Sequence, residues 1–160
     1  MKKILMKKVL IALDYDPTAQ KVAEVGFSLA KTMGAEVTLL HVISDPVIYP
    51  APEHVTIIGF TNQQDTNVLQ MDSVDGLKNA AQTYLDKTKL HLGDKTIQIL
   101  IKEGYFAESI LMAAKKMHAD VIVMGSHSQK WLENILMGSV TEKVLRSTSV
   151  PLFIVPTKKH

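Results

Sequence analysis

Short apolar runs alternate with amphipathic stretches from Lys8 onwards. Lys8 to Leu13 carries Val9, Leu10, Ile11 and Leu13, a near-continuous apolar run of the kind that forms a strand buried on both faces. Asp14-Tyr15-Asp16-Pro17 turns the chain. Asp16 is placed to cap a helix, and Pro17 to occupy its first position, where a missing N–H is harmless. Val22, Val25, Gly26, Leu29, Ala30 and Met33 recur at helical spacing, and Gly34 ends that segment. Glu36 to Ile43 is a second strand. Ser44 to Gln70 then fits no periodic template, holding Pro46, Pro50, Pro52, Gly59 and the polar run Thr61 to Asn67. Connections of that length inside a compact domain are uncommon, and are usually functional or disordered. Helical spacing returns with Val74, Leu77, Ala81, Tyr84, Leu85, Thr88 and Leu92, and breaks at Gly93-Asp94. Thr96 to Ile101 reads as the third strand, and Phe106, Ile110, Ala113, Ala114 and Met117 as the third helix. Asp120 introduces a fourth strand ending at Gly125. Val140, Val144 and Leu145 mark a short fourth helix, and Pro151 to Pro156 a fifth strand.

Five strands alternating with four helical connections predict an α/β fold, a doubly wound parallel sheet with helices on both faces. The expected organisation is one domain over residues 1–160, since no internal repeat or second domain is visible. Composition agrees: 46% of residues are hydrophobic and only 6% aromatic, an aliphatic core that suits a parallel sheet better than a β-sandwich. With no cysteine, thiol catalysis, disulfides and thiolate metal sites are excluded. A net charge of +2 does not argue for nucleic acid, and the Lys2-Lys3, Lys7-Lys8 and Lys158-Lys159 pairs read as solvated ends. The start, Met1 to Lys8, has the charge of a signal peptide, but the apolar run after it is stopped by Asp14. No apolar run approaches the ~20 residues that span a bilayer. The expectation is a cytoplasmic protein that meets neither membrane nor nucleic acid.

The chemistry concentrates in Val121-Ile-Val-Met-Gly125-Ser126-His127-Ser128 and, after Gln129 to Met137, in Gly138-Ser139-Val140-Thr141-Glu142. A strand, a glycine turn, a long loop, a second glycine and a helix start together can hold an anion. The unpaired N–H groups of a helix N-terminus point outward, and the helix dipole favours negative charge there. Taken alone, Ser139 and Glu142 equally fit a capping box, in which Glu142 reaches back to the Ser139 N–H. His127 is a solvated loop residue on this reading, and Trp131 an anchor for the loop. Neither a Walker P-loop nor a paired-histidine metal motif is present.

The wider spacing resembles the nucleotide loop of the universal stress protein family, whose ATP-binding members carry G-2x-G-9x-G-[S/T]. Gly125 matches the first glycine and Gly138-Ser139 the closing pair, while Ser128 stands where the family has its second glycine. The resemblance extends over nearly the whole chain. Periodicity leaves two strand orders open, the flavodoxin-like 2-1-3-4-5 and 3-2-1-4-5, the second being the order known for this family. The second is preferred because ligands bind where strand order reverses. That point then lies between strands one and four, with Asp14 beside Met124-Gly125.

Carried over residue by residue, the resemblance implies that Asp14 bonds the nucleoside and that the backbone of Val42 meets adenine. It further implies that Met124 and Gly125 line the nucleoside and that Gly138, Ser139 and Val140 cradle phosphate. The implied ligand is ATP or another adenine nucleotide such as AMP, with Mg²⁺ between carboxylate and phosphate where both are present. Ser128 either strains the loop or offers its hydroxyl to a phosphate. No positioned general base is evident, so at most slow ATP hydrolysis is expected. The function expected is a regulatory or sensing nucleotide-binding protein. The alternative is an interaction module of the same fold that binds no nucleotide, and an enzyme such as a nucleotidyl transferase ranks last. A homodimer through Pro151 to Pro156 is expected, because an apolar sheet edge invites pairing and the resemblance implies it.

Overall fold

The computed structural model describes residues 2–44, 74–126 and 138–157. The order of elements is β1 (Lys8–Ala12), α1 (Ala19–Met33), β2 (Glu36–Ile43), α2 (Val74–Leu92), β3 (Gln98–Glu103), α3 (Phe106–Lys116), β4 (Val121–Gly125), α4 (Ser139–Ser147) and β5 (Leu152–Val155). The five strands form one sheet in the order β3-β2-β1-β4-β5, all four neighbouring pairs parallel. This is the second of the two orders left open by periodicity. Residues 127–137, with His127, Ser128 and Trp131 among them, and most of the segment Ser44 to Gln70 lie outside the described residues.

Side chains alternate across the sheet, which divides the core in two. Val9, Ile11, Val37, Leu39, Val121 and Val123 face α1 and α2, meeting Val22, Ala23, Ala30, Tyr84 and Leu85. Leu10, Leu40, Ile122 and Met124 face α3 and α4, meeting Ala107, Ile110, Ala114 and Val144. The helix α1 lies close on the sheet because Gly26 has no side chain. A Cβ there would stand 2.8 Å from Ile11 Cδ1 and 3.0 Å from Val123 Cγ1. Gly34 closes the helix with φ +63°, donating its N–H to Ala30 O and Lys31 O, a conformation glycine adopts without strain. At the opposite edge of the site-bearing strands, the Asp120 carboxylate accepts the N–H groups of Lys7 and Lys8 at 2.8 and 2.9 Å, pinning the start of β4 to β1.

Three boundaries differ from the expected ones. β3 runs from Gln98 to Glu103, two residues later than the apolar pattern indicates. Asp94 explains this: its Oδ1 accepts the Thr96 N–H at 2.8 Å and the Thr96 hydroxyl at 2.6 Å, holding Thr96 in a turn. The helix α1 begins at Ala19, with Thr18 rather than Asp16 as its N-cap residue. Asp16 still acts at this end, accepting the Thr18 N–H and hydroxyl at 2.8 and 2.6 Å, and Pro17 sits in the turn before the helix. Finally, the ladder between β1 and β2 ends at Ala12↔Leu40, one residue short of the apolar run.

Candidate functional site

The order of strands reverses between β1 and β4, and the carboxyl ends of these two strands frame the site. Their register pairs Ile11 with Val123, so the same offset sets Asp14 level with Ser126, just past Gly125. Asp14 Oδ1 accepts the Asp16 N–H at 3.0 Å, which turns the chain away from the sheet and leaves the carboxylate half-buried at the rim.

On the β4 side, the two ends of the glycine-bracketed loop are held together. Gly138 donates its N–H to Ser126 O at 3.0 Å, and the buried Thr141 hydroxyl donates to Gly125 O at 2.8 Å. Ser126 is itself anchored to the end of β5 and the chain just beyond it. Its N–H donates to Val155 O, and its Oγ accepts the Thr157 N–H at 3.1 Å. The foot of the loop and the first turn of α4 therefore form one bracket at the carboxyl end of β4.

The capping box does not form. Gly138 is the N-cap residue, Ser139 the first helical residue, and no side chain caps the helix among the described residues. Glu142 pairs with Arg146 one turn on, at 2.8 Å, and so faces away from the N-terminus. The first helical bond runs from Glu142 N–H to Gly138 O. The N–H groups of the turn before it, Ser139 to Thr141, lack acceptors within the helix, as at any α-helix start. Ser139 is exposed, Val140 half-buried and Gly138 buried.

Met124 and Val42 have buried side chains, 5% and 6% exposed, both in the core beneath α3 and α4. Only their backbones are able to line a cleft. The backbone of Val42 has a specific opportunity. Leu13 N–H donates to Leu40 O and Gly104 N–H to Ile43 O, so successive β2 residues turn alternately to β1 and β3. Val42 therefore turns its N–H and C=O towards β1, beyond the last rung of that ladder.

The rung is missing because Leu13 O has another donor. The imidazole of His41 reaches it through Nδ1 at 2.8 Å. A carbonyl only accepts, so Nδ1 carries the proton. Beside it the Tyr84 hydroxyl donates to Asp14 O at 2.7 Å. His41 stacks on Tyr15 with ring centroids 4.3 Å apart, and Tyr15 meets Tyr84 edge-on at 5.0 Å. Burial pushes the Tyr15 hydroxyl up to about 12. Burial first, then the charges of Asp14, Tyr15 and Asp16, raise that of Tyr84, which stays a donor at neutral pH. Burial also lowers His41 below its ordinary 6.5, against the opposing pull of Leu13 O and the Asp14 charge.

The unfolded chain takes up the proton before the folded one, so the contribution of His41 to stability is complete above about pH 6.5 and falls as pH drops below it. The carboxylates with lowered pKa, Glu24, Glu108 and Asp94, titrate in a separate, more acidic range. Urea unfolding between about pH 7.5 and pH 5 should show stability declining in the parent and a flatter curve in His41→Asn. Parallel curves would contradict this role for burial.

Of the residues singled out in the sequence, Asp14 follows the carboxyl end of β1 and Gly125 ends the neighbouring β4, with Gly138, Ser139 and Val140 carried to Gly125 by the loop bracket. Ser128 lies outside the described residues. His41, Tyr84 and Thr157 were not singled out, and Ser126 and Thr141, though inside the glycine-bracketed stretch, were given no role. The histidine inside the apolar β2 run was the one available signal, because a buried polar group requires a partner. No group of three or more potential metal ligands occurs among the described residues. None of their helices is long and apolar enough to cross a membrane.

Comparison with known proteins identifies the family to which this five-stranded parallel α/β sheet belongs. Residues 6–156 match the sequence model of the universal stress protein family, and the chain belongs to that family. Universal stress protein MJ0577 of Methanocaldococcus jannaschii is 30% identical over 159 residues, 97% of this chain and 98% of its own length. The stress response protein NhaX of Bacillus subtilis is 27% identical over 160 residues, 92% of this chain and 96% of its own. The solved structure of MJ0577 superposes with a TM-score of 0.73 at 26% identity, covering 98% of this chain and all of that one. A universal stress protein solved in complex with cAMP superposes with a TM-score of 0.64 at 16% identity, over 97% of this chain and 100% of its own.

Proposed function

We propose that this universal stress protein binds an adenine nucleotide, ATP or AMP, as a regulatory or sensing ligand. The observation that carries the reading is the start of α4. It has no side-chain cap, its glycine is tied to the end of β4, and it stands across the switch point from Asp14. Backbone N–H groups of Ser139 and Val140 suit phosphate oxygens, helped by the helix dipole. The Asp14 carboxylate accepts hydrogen bonds from ribose hydroxyls but repels phosphate, so it belongs at the nucleoside end. The Val42 N–H and C=O present the donor–acceptor pair that matches the edge of adenine. Met124 and Gly125 line the nucleoside through backbone, and Ser128 joins the phosphate loop.

Mg²⁺ on this reading is held chiefly by the phosphates, with Asp14 as the carboxylate within the proposed site. The cAMP complex of a protein of the same fold concerns that protein, and its likeness to this chain carries the fold alone. The reading therefore rests on the site. It is tested by heat-denaturing freshly purified protein and chromatographing the supernatant. Released adenine nucleotide near one per chain supports the site. Its absence, together with failure to take up added ATP, favours the alternative, an interaction module of the same fold that binds no nucleotide.

The working unit on this proposal is a homodimer through β5. The strand is an edge of the sheet, flanked by Pro151 and Pro156, with Phe153 37% exposed. Two copies pairing antiparallel about a twofold axis cover that edge without propagating. Ile154→Lys should turn a dimer into a monomer in analytical ultracentrifugation. A parent protein that already sediments as a monomer at micromolar concentration contradicts the dimer.

A further inference from the structure

We propose that His41 and Tyr84 are positioning residues that hold the end of β1 away from β2 and so keep the Val42 backbone open to a nucleobase. The inference deepens the nucleotide reading and rests on it for the identity of the ligand. Its basis is the point where the β1–β2 ladder stops. Leu13 N–H still donates to Leu40 O at 2.9 Å, so the strands are adjacent and in register there. Continuing the pairing by one rung would join Leu13 O to Val42 N–H. That acceptor is instead taken by His41 Nδ1, and the following carbonyl, Asp14 O, by the Tyr84 hydroxyl.

Two consecutive carbonyls are thus claimed by side chains from two other elements, β2 and α2, the second 70 residues away in sequence. The donors are fixed in turn by the contact of both rings with Tyr15. The arrangement does two things at once. It leaves the N–H and C=O of Val42 without a β1 partner, and it fixes the backbone from which the Asp14 carboxylate reaches the rim. A histidine inside the apolar run Leu39 to Ile43 has its explanation here. The imidazole is 6% exposed and reaches no bulk water with its donor, so its one hydrogen bond sets the course of the neighbouring chain.

Amide hydrogen exchange and calorimetry test this on the full chain. In the ligand-free parent the Val42 amide should exchange faster than that of Leu40, which the ladder protects. His41→Phe keeps the ring stacking but frees Leu13 O, and should slow exchange at Val42 as the rung forms. The same variant should lower ATP affinity about tenfold, the effect of one hydrogen bond to the base edge, and narrow the preference for ATP over GTP. His41→Asn, whose amide can donate from the position of Nδ1, should retain most of the preference. Tyr84→Phe, lacking only the hydroxyl, should weaken ATP binding less, with the fold preserved. Unchanged exchange at Val42 in a folded His41→Phe protein overturns the proposal whether or not nucleotide binds. Slowed exchange in a protein that takes up no nucleotide sustains the positioning role and removes the ligand reading alone. Equal loss in the Phe and Asn variants assigns His41 a packing role and also overturns it.

Discussion

Gly138→Val should weaken ATP binding by about a hundredfold while leaving the chain folded. The proposed cradle is backbone: N–H groups at the start of α4 donating to phosphate, each such charge-assisted bond contributing about 1.5–3 kcal/mol. Loss of two of them amounts to roughly a hundredfold or more. Gly138 has φ −66° and ψ 155°, extended backbone that valine adopts readily, so the substitution strains no dihedral angle. What it adds is bulk where the backbone would approach an oxygen. Because Gly138 is buried, Gly138→Ala is the milder companion, expected to show a smaller loss in the same direction. Circular dichroism confirms the fold, and calorimetry reads the affinity. Parent affinity in a folded Gly138→Val protein removes the cradle.

The second large effect is on stability. Gly26→Val should destabilise the protein by about 2–3 kcal/mol, as overpacking of a well-filled core typically does. A single Cβ already meets Ile11 and Val123 at 2.8 and 3.0 Å, and both of those side chains are fully buried. Replacing glycine in a helix interior returns less than about 1 kcal/mol of helix propensity, which offsets only part of the clash. For a chain of this length the loss corresponds to roughly 5–10 °C in the melting midpoint. The strained contacts lie on β1 and β4, so ligand affinity should fall as well. A melting curve unchanged from the parent would mean that α1 shifts freely on the sheet.

Local signals carried most of the fold. The strand β2 was legible to the residue because Glu36 to Ile43 is bounded by a glycine turn and by a loss of periodicity. The helix α2 was legible from Val74 to Leu92 for the same kind of reason. The order of strands was not: alternation of helix and strand is common to several orders, and one was selected by the resemblance to a family together with the rule that ligands bind where the order reverses, which gives the glycine loop a place. The displaced start of β3 depended on a carboxylate turn at Asp94 that competes with strand pairing, and apolar periodicity does not register it.

The site divides along similar lines. Gly125, Gly138 and Ser139 stood out by spacing and Asp14 by the family resemblance, whereas the bonds that position them did not. His41 to Leu13 O and Tyr84 to Asp14 O join residues 28 and 70 apart, and Thr141 to Gly125 O spans 16. Tyr84 and Thr141 each sit in a helical pattern that reads equally well as core or cap. Their function is set by which carbonyl the fold brings within reach, and only the assembled sheet reveals that.

On the proposed function the α4 start and the β1/β4 strand ends together hold an adenine nucleotide. Isothermal titration of nucleotide-free protein with ATP, and then with GTP, tests it most directly. Saturable binding of one ATP per chain is expected, tighter than GTP and weakened by Gly138→Val. A folded protein that gives no heat of binding with ATP, and none with AMP, would contradict it.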